Sequence, residues 1–240
     1  RNLLPYLSSE QPVYGLNIFG LVERYQSGFE DLSLESLATH MVADICAIQP
    51  QGPYFLAAYC GDSRLTLEIA QQMQKLGHQI GLLLFIDVVW NEQQPGLSYY
   101  WKTLLHLGPG YLFQKIEEKY KTLDGIWHSR RLRHFPGGES SQMHHQSHQL
   151  QFHQQYYQRF HELSQQYQGV PFSGKISLLL SSEWLARHTP DLEQLAKGGL
   201  DLHEVYGYHH SLFNPPYVEK LADAIEKCLQ KAQDKENCSF

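Results

Sequence analysis

The run QIGLLLFIDVVW at residues 79–90 is too continuously apolar to leave one side in water. A half-exposed strand alternates polar and apolar residues, whereas a strand covered on both faces need not. This run therefore reads as a central, parallel strand. Its neighbours follow the same logic. YFLAAYC (54–60) is a short apolar run of strand length, and SRLTLEIAQQMQKLG (63–77) follows it at once with helical spacing and a stop at Gly77. ISLLLSS (176–182) and LDLHEVYG (200–207) read as strands. LEQLAKGG (192–199) and PPYVEKLADAIEKCLQKA (215–232) read as helices, the second with proline near its start. Upstream, PVYGL (12–16) reads as a short strand. LSLESLATHMVADICAIQ (32–49) reads as a helix with Ser33 as its cap and Glu35 in its first turn. The tail QDKENCSF is expected to fray. Strands alternating with helices predict an α/β fold, a mostly parallel sheet with helices on both faces.

One stretch breaks the alternation. Residues 97–168 carry no strand signal and read as helices near 97–107, 110–123 and 142–168. Eight Lys/Arg against five Asp/Glu in 97–170 make that stretch +3, while the whole chain is −6. A helical insertion of different composition is therefore expected inside one domain of residues 1–240. The mild negative charge argues against a general nucleic-acid binder. Four scattered cysteines and no CxxC pair argue against a disulfide scaffold or a zinc site. The apolar runs are too short for a membrane span, and no signal peptide is evident, so a cytoplasmic location is expected.

In a parallel sheet the functional groups collect at the carboxyl ends of the strands. Those ends hold a thiol, a carboxylate and an imidazole in the chain order Cys60, Asp87, His209. Each has a bland reading. A cysteine after an apolar run is commonly a core residue. Asp87 also suits a loop cap, and His210 competes with His209. Ser63 reads as a helix cap, and Ser181 and Ser182 as polar strand ends. Cys46, Cys228 and Cys238 read as structural. His144 and His148 have an i,i+4 ligand spacing but no carboxylate or cysteine beside them, so a solvated Gln/His-rich helix is the expectation. HSRRLRHF (128–135) is a basic cluster, read as a solvated loop or as a dock for an acidic partner.

The segment IQPQGPYFLAAYCGDSRLTLEIAQQMQKLG resembles the nucleophile segment of thioesterase domains that end non-ribosomal peptide and polyketide synthases. Those read IQPxGPYxLxGYSxGGxxAxExAxxLxxxG. LLLFID resembles their LxLxD, and VYGYHHSLFNPPYVEKLADAI their segment around the catalytic histidine. The resemblance covers nearly the whole chain outside the insertion. It implies an α/β-hydrolase fold with a helical lid at about residues 91–172. It implies Cys60 as nucleophile in place of the usual serine, Asp87 as triad acid, His209 as base and the Gly61 N–H as oxyanion donor.

The sequence also departs from that pattern. Ala58 replaces a glycine before the nucleophile and Asp62 a glycine after it. With Tyr59 and His210, these shape the elbow and the site. The family's first strand and Gly-rich oxyanion loop are not recognisable at the N-terminus, which fits a piece of a larger synthase. The implied substrate is an acyl or peptidyl thioester on a phosphopantetheinyl carrier domain fused upstream, with no cofactor, metal, nucleic acid or membrane. The expected outcome is release by cyclisation, to a lactone, β-lactone or amide, or by hydrolysis. The alternatives are a stand-alone proofreading thioesterase and a catalytically inactive binding or scaffold domain.

Overall fold

Within the apolar run at 79–90, Ile80–Ile86 form β2 of a parallel sheet that has four strands among the described residues, and both faces of β2 are covered. The structure is a computed structural model, and it describes residues 2–18, 20, 32–90, 96–116, 119–120, 155–185 and 191–237. In chain order the elements are α1 (Leu34–Ile48), β1 (Tyr54–Tyr59), α2 (Ser63–Lys75), β2 (Ile80–Ile86), α3 (Leu97–Leu107), α4 (155–166), β3 (Ile176–Ser181), α5 (Ser182–Leu185), α6 (Asp191–Leu195), β4 (Leu200–Val205) and α7 (Tyr217–Asn237). The strands stand in the order β1-β2-β3-β4, every pair parallel. Residues 110–116 are also helical.

Two compact units are present. One comprises residues 1–93 and 156–240, the other residues 94–155. The first holds the sheet; the second holds α3.

The period-2 geometry of β2 explains its composition. Leu83 and Phe85 pack with Leu67 and Ala70 of α2, Leu178 of β3 and Leu192 of α6. Leu82, Leu84 and Ile86 point the other way, toward Leu221 and Ile225 of α7. Each face is an apolar layer of its own, so from Leu82 to Ile86 no position could be polar without facing a core.

Caps set the helix ends. Ser33 has extended backbone (φ −119°, ψ 159°); its side chain accepts the Ser36 N–H while the Ser36 hydroxyl serves the Ser33 N–H. This reciprocal pair satisfies two donors that a helix start leaves orphaned. At the end of α2, Gly77 takes φ 85°, its N–H reaches the Gln74 carbonyl, and the His78 N–H reaches Met73. These two bonds make a Schellman closure, which needs a residue that tolerates positive φ.

Three expectations change. Residues 12–17 carry no regular structure, and Val13 and Tyr14 lie in solvent. A strand needs a partner for its ladder, and among the described residues PVYGL has none. Ser63 does not cap α2; it sits inside the first turn with helical backbone (φ −62°, ψ −30°), whereas a capping side chain needs extended backbone at its own residue. Its hydroxyl is buried and has no hydrogen-bond partner among the described residues. The tail is not frayed through 237, because α7 continues to Asn237. No described helix is long and apolar enough to cross a membrane. The helix expected at 142–154, the histidines at 144, 145, 148 and 153, the basic cluster at 128–135 and Cys238 lie outside the described residues.

Candidate active site

Four strand ends meet on one side of the sheet because all four strands run the same way. The register aligns Tyr59 with Ile86 across β1 and β2, and Ser181 with Val205 across β3 and β4. Cys60, Asp87, the Ser181–Trp184 segment and His209 therefore follow the carboxyl ends of successive strands.

Cys60 opens a turn of 3-10 helix, Cys60–Asp62, between β1 and α2. Tyr59 before it is extended (φ −112°, ψ 133°), while Cys60 itself takes φ 51°. A non-glycine side chain in that left-handed region costs about 1–3 kcal/mol and persists where its surroundings over-determine it. The reversal lifts Cys60 off the strand at the start of α2, where the helix N-terminus favours negative charge. Gly61 follows in the first turn, where N–H groups have no intrahelical acceptor. Space beside its Cα is open. Above the turn, the Ser164 hydroxyl of α4 donates to the Gly61 carbonyl at 3.4 Å. Ala58, one residue before Tyr59, is buried in the core.

Asp87 also has positive φ, 52°, one residue past β2. Its N–H is fixed by the Leu179 carbonyl at 2.8 Å, and its Oδ1 accepts the Ser181 N–H at 2.5 Å. The other oxygen, Oδ2, stands 3.0 Å from His209 Nδ1. Asp87 is fully buried and His209 is 7% exposed. An ionised carboxylate there must be neutralised by donors, and the two contacts supply them.

His209 is held on every side. Its N–H donates to Glu183 Oε2 at 3.0 Å and its carbonyl accepts the Tyr59 hydroxyl at 2.8 Å. The Tyr59 oxygen is also 3.2 Å from each ring nitrogen, so it lies over the ring, and the two rings stack at 5.0 Å. Trp184 stacks on the imidazole at 3.9 Å and 13°. Burial by itself pulls His209 down; the hydrogen bonds to Asp87 and Cys60, and their charges, overcome it and push the imidazole up to about 9. Two aromatic faces further suit an imidazolium. Burial raises the Tyr59 phenol, and the carboxylates of Asp87 and Glu183 and the Cys60 thiol add to it, so Tyr59 stays a donor.

Of the two histidines, the structure brings His209 to Asp87. His210 is exposed, with its ring edge-on to His209 at 4.9 Å. Asp62 is the residue before α2 but makes no capping bond. Its side chain keeps solvent access, yet desolvation by the surrounding protein raises its carboxyl.

Two residues at this site were not singled out from the sequence, Glu183 and Trp184. The signal for them was positional. They follow the end of the buried strand β3, and Trp184 is a large ring placed where a strand meets the site. Cys46, read as structural, stands 3.5 Å from His78 Nε2, away from these strand ends. Among the described residues no three His, Cys, Asp or Glu side chains converge as metal ligands would.

A buried carboxylate–imidazole pair beside a thiol on a strained turn can pass a proton and form a covalent bond. The comparisons with known proteins give the family to which the chain belongs. The family model described as "Thioesterase domain" matches residues 26–229. Malpinin synthetase of Mortierella alpina is 32% identical over 85 residues, covering 35% of this chain and 1% of that protein. Aspulvinone E synthetase melA of Aspergillus terreus is 24% identical over 254 residues, covering 96% of this chain and 26% of that protein. The chain thus spans only a small part of the relatives it matches. The RedJ thioesterase of the prodiginine pathway in Streptomyces coelicolor superposes with a TM-score of 0.58 at 14% identity, covering 95% of this chain and 84% of that one. That likeness shows the α/β-hydrolase fold. With a parallel sheet carrying its polar groups at the strand ends and a family match over more than half its length, the chain belongs to the thioesterase domain family.

Proposed function

We propose that the chain releases an acyl or peptidyl group from a phosphopantetheinyl carrier domain through a covalent acyl-Cys60 intermediate. The observation that carries this reading is the buried Asp87–His209 pair, 3.0 Å apart, with the Cys60 thiol near enough to raise the same imidazole. The Cys60 proton passes to His209 Nε2, and the thiolate attacks the thioester carbonyl. The Gly61 N–H stabilises the developing oxyanion. The carbon–sulfur bond to pantetheine breaks, and its sulfur takes the proton back from the imidazolium. Asp87 holds the ring so that Nε2 faces the thiol.

Thioester to thioester is close to thermoneutral, so the enzyme keeps the activation that a serine ester would lose. The acyl-Cys60 can then pass to a hydroxyl or amine of its own chain, closing a lactone or amide, or to water. In that second half His209 takes a proton from the acceptor and the Cys60 thiolate leaves. The length relations with the synthetases above support a carrier domain in the same polypeptide.

The test is intact-protein mass spectrometry after mixing with an acyl-pantetheine thioester, wild type beside Cys60→Ala. An adduct mapping to Cys60 and absent from the variant is expected. A folded wild-type protein with neither adduct nor turnover sinks the reading in favour of a domain that binds without chemistry.

A further inference from the structure

In the reaction proposed for Cys60, His209 becomes an imidazolium in a site that water scarcely reaches. The residue is 7% exposed. The ring edge has a polar partner, with Asp87 Oδ2 3.0 Å from Nδ1. The ring faces meet other rings, those of Tyr59 and Trp184. Burial by itself disfavours the charged form. What covers the faces therefore decides how well the imidazolium is tolerated.

The two covering rings are not equivalent. Tyr59 stacks at 5.0 Å and 21°, and its hydroxyl is committed to the His209 carbonyl at 2.8 Å. Trp184 stacks closer and flatter, at 3.9 Å and 13°. An indole is the best aromatic face for a cation, and the attraction grows where water is excluded. Trp184 is itself 8% exposed and belongs to the apolar layer that holds Phe85 and Trp90. The indole is thus anchored in the core and cannot swing aside without opening that layer.

Backbone contacts bring the indole there. Trp184 lies in α5, the single turn that follows β3 directly. Its N–H donates to Ser181 Oγ at 3.3 Å, and the Ser181 N–H donates to Asp87 Oδ1 at 2.5 Å. Glu183, one residue earlier, accepts the His209 N–H at 3.0 Å. One corner, residues 181–184, therefore fixes the acid, the backbone of the base and the ring that lies on the base. The titratable groups that face the imidazole are Tyr59 and Cys60 from the end of β1, Asp87 past β2, Glu183 from α5 and the neighbouring His210. Trp184 adds to them a face with no titrating proton of its own.

We infer that Trp184 is a positioning residue for the acyl transfer proposed at Cys60: its indole holds the His209 ring flat with Nδ1 on Asp87, and favours that ring in its protonated form. The inference rests on that reading of the site. The indole takes no part in bond making. It acts through the base, when His209 accepts the Cys60 proton and again when it accepts the proton of the acyl acceptor.

The experiment follows the His209 ring by NMR in the full chain, labelled at its histidines, from mildly acidic to alkaline pH. Loss of its signals in His209→Gln identifies them. The wild-type ring is expected to titrate at about 9. Trp184→Met fills much of the space without a π face and should titrate lower by about 0.5–1.5 pH units, the size of a cation–π contact. Trp184→Phe keeps a weaker face and should fall between the two. The low-field Nδ1 proton that marks the bond to Asp87 should persist in Trp184→Phe and broaden in Trp184→Met. Titrations of both variants that overlay the wild type would overturn the inference. So would equal shifts in the two, since volume and not the aromatic face would then be at work. If Trp184→Met does not fold, Trp184→Phe decides: a lowered titration supports the inference and an unmoved one overturns it. Acyl loading of Cys60, read by intact mass on the same proteins, should be about two- to thirtyfold slower in Trp184→Met. Loading at the wild-type rate in that variant overturns the positioning role alone. No loading in the wild type sinks the reading of Cys60 and the positioning role with it, whatever the titration shows.

Discussion

His209 concentrates the electrostatics of the site in one ring. Its imidazole has Asp87 on Nδ1, Trp184 against one face and the Tyr59 ring stacked on it as well. Its pKa is raised from 6.5 to about 9, burial opposing and the bonds to Asp87 and Cys60 prevailing. The sign follows from proton linkage. A group with a raised folded pKa adds stability that is fully present below about 6.5 and is lost as pH climbs through about 9. Denaturant unfolding of wild type and Asp87→Asn at several pH values should show this. The stability gap is expected to be widest at and below pH 6.5 and to shrink toward pH 9 and above. A gap independent of pH would mean that Asp87 matters by packing alone. Sequence order identified Cys60, Asp87 and His209 as the groups to inspect, and the structure puts them together. Glu183 and Trp184 escaped because neither carries a motif; their role comes from where β3 ends.

Helix ends show the same physics at the next scale. Ser33 and Ser63 are both serines near a helix start, yet only Ser33 has the extended backbone that lets its oxygen reach a later N–H. Ser33→Ala should cost about 1 kcal/mol, the usual loss of a cap. Ser63→Ala should be neutral or stabilising by up to about 1 kcal/mol, because it removes a buried hydroxyl with no hydrogen-bond partner among the described residues. Equilibrium urea unfolding of both variants checks the contrast; equal losses would show that Ser63 has a bond the structure lacks. Elements with strong local signals were legible within a few residues. These were β2 from its unbroken apolar run, α2 from its period and its Gly77 stop, and α1 from Ser33. PVYGL was misread because strand propensity is satisfied only by a neighbouring strand, and residue types cannot say whether one is there.

At the scale of the whole molecule, the sheet is the scaffold that fixes every site distance. Leu178 lies in the centre of β3, fully buried in the layer that also holds Phe85 and Leu192. Leu178→Ala should destabilise the fold by about 3 kcal/mol, the transfer loss plus the cavity left behind. Thermal or urea unfolding reads this directly, and a loss below about 1 kcal/mol would mean the layer collapses around the gap. The sequence by itself determined the fold class, because both-face burial, helix period and glycine stops are local consequences of side-chain type. It also determined which chemical groups stand at the strand ends, since a parallel sheet leaves its carboxyl ends nowhere else to go. Tertiary structure alone decided which imidazole meets Asp87 and which rings enclose it. Those depend on distances between residues up to 150 positions apart, such as Tyr59 and His209, and no local propensity encodes such a distance.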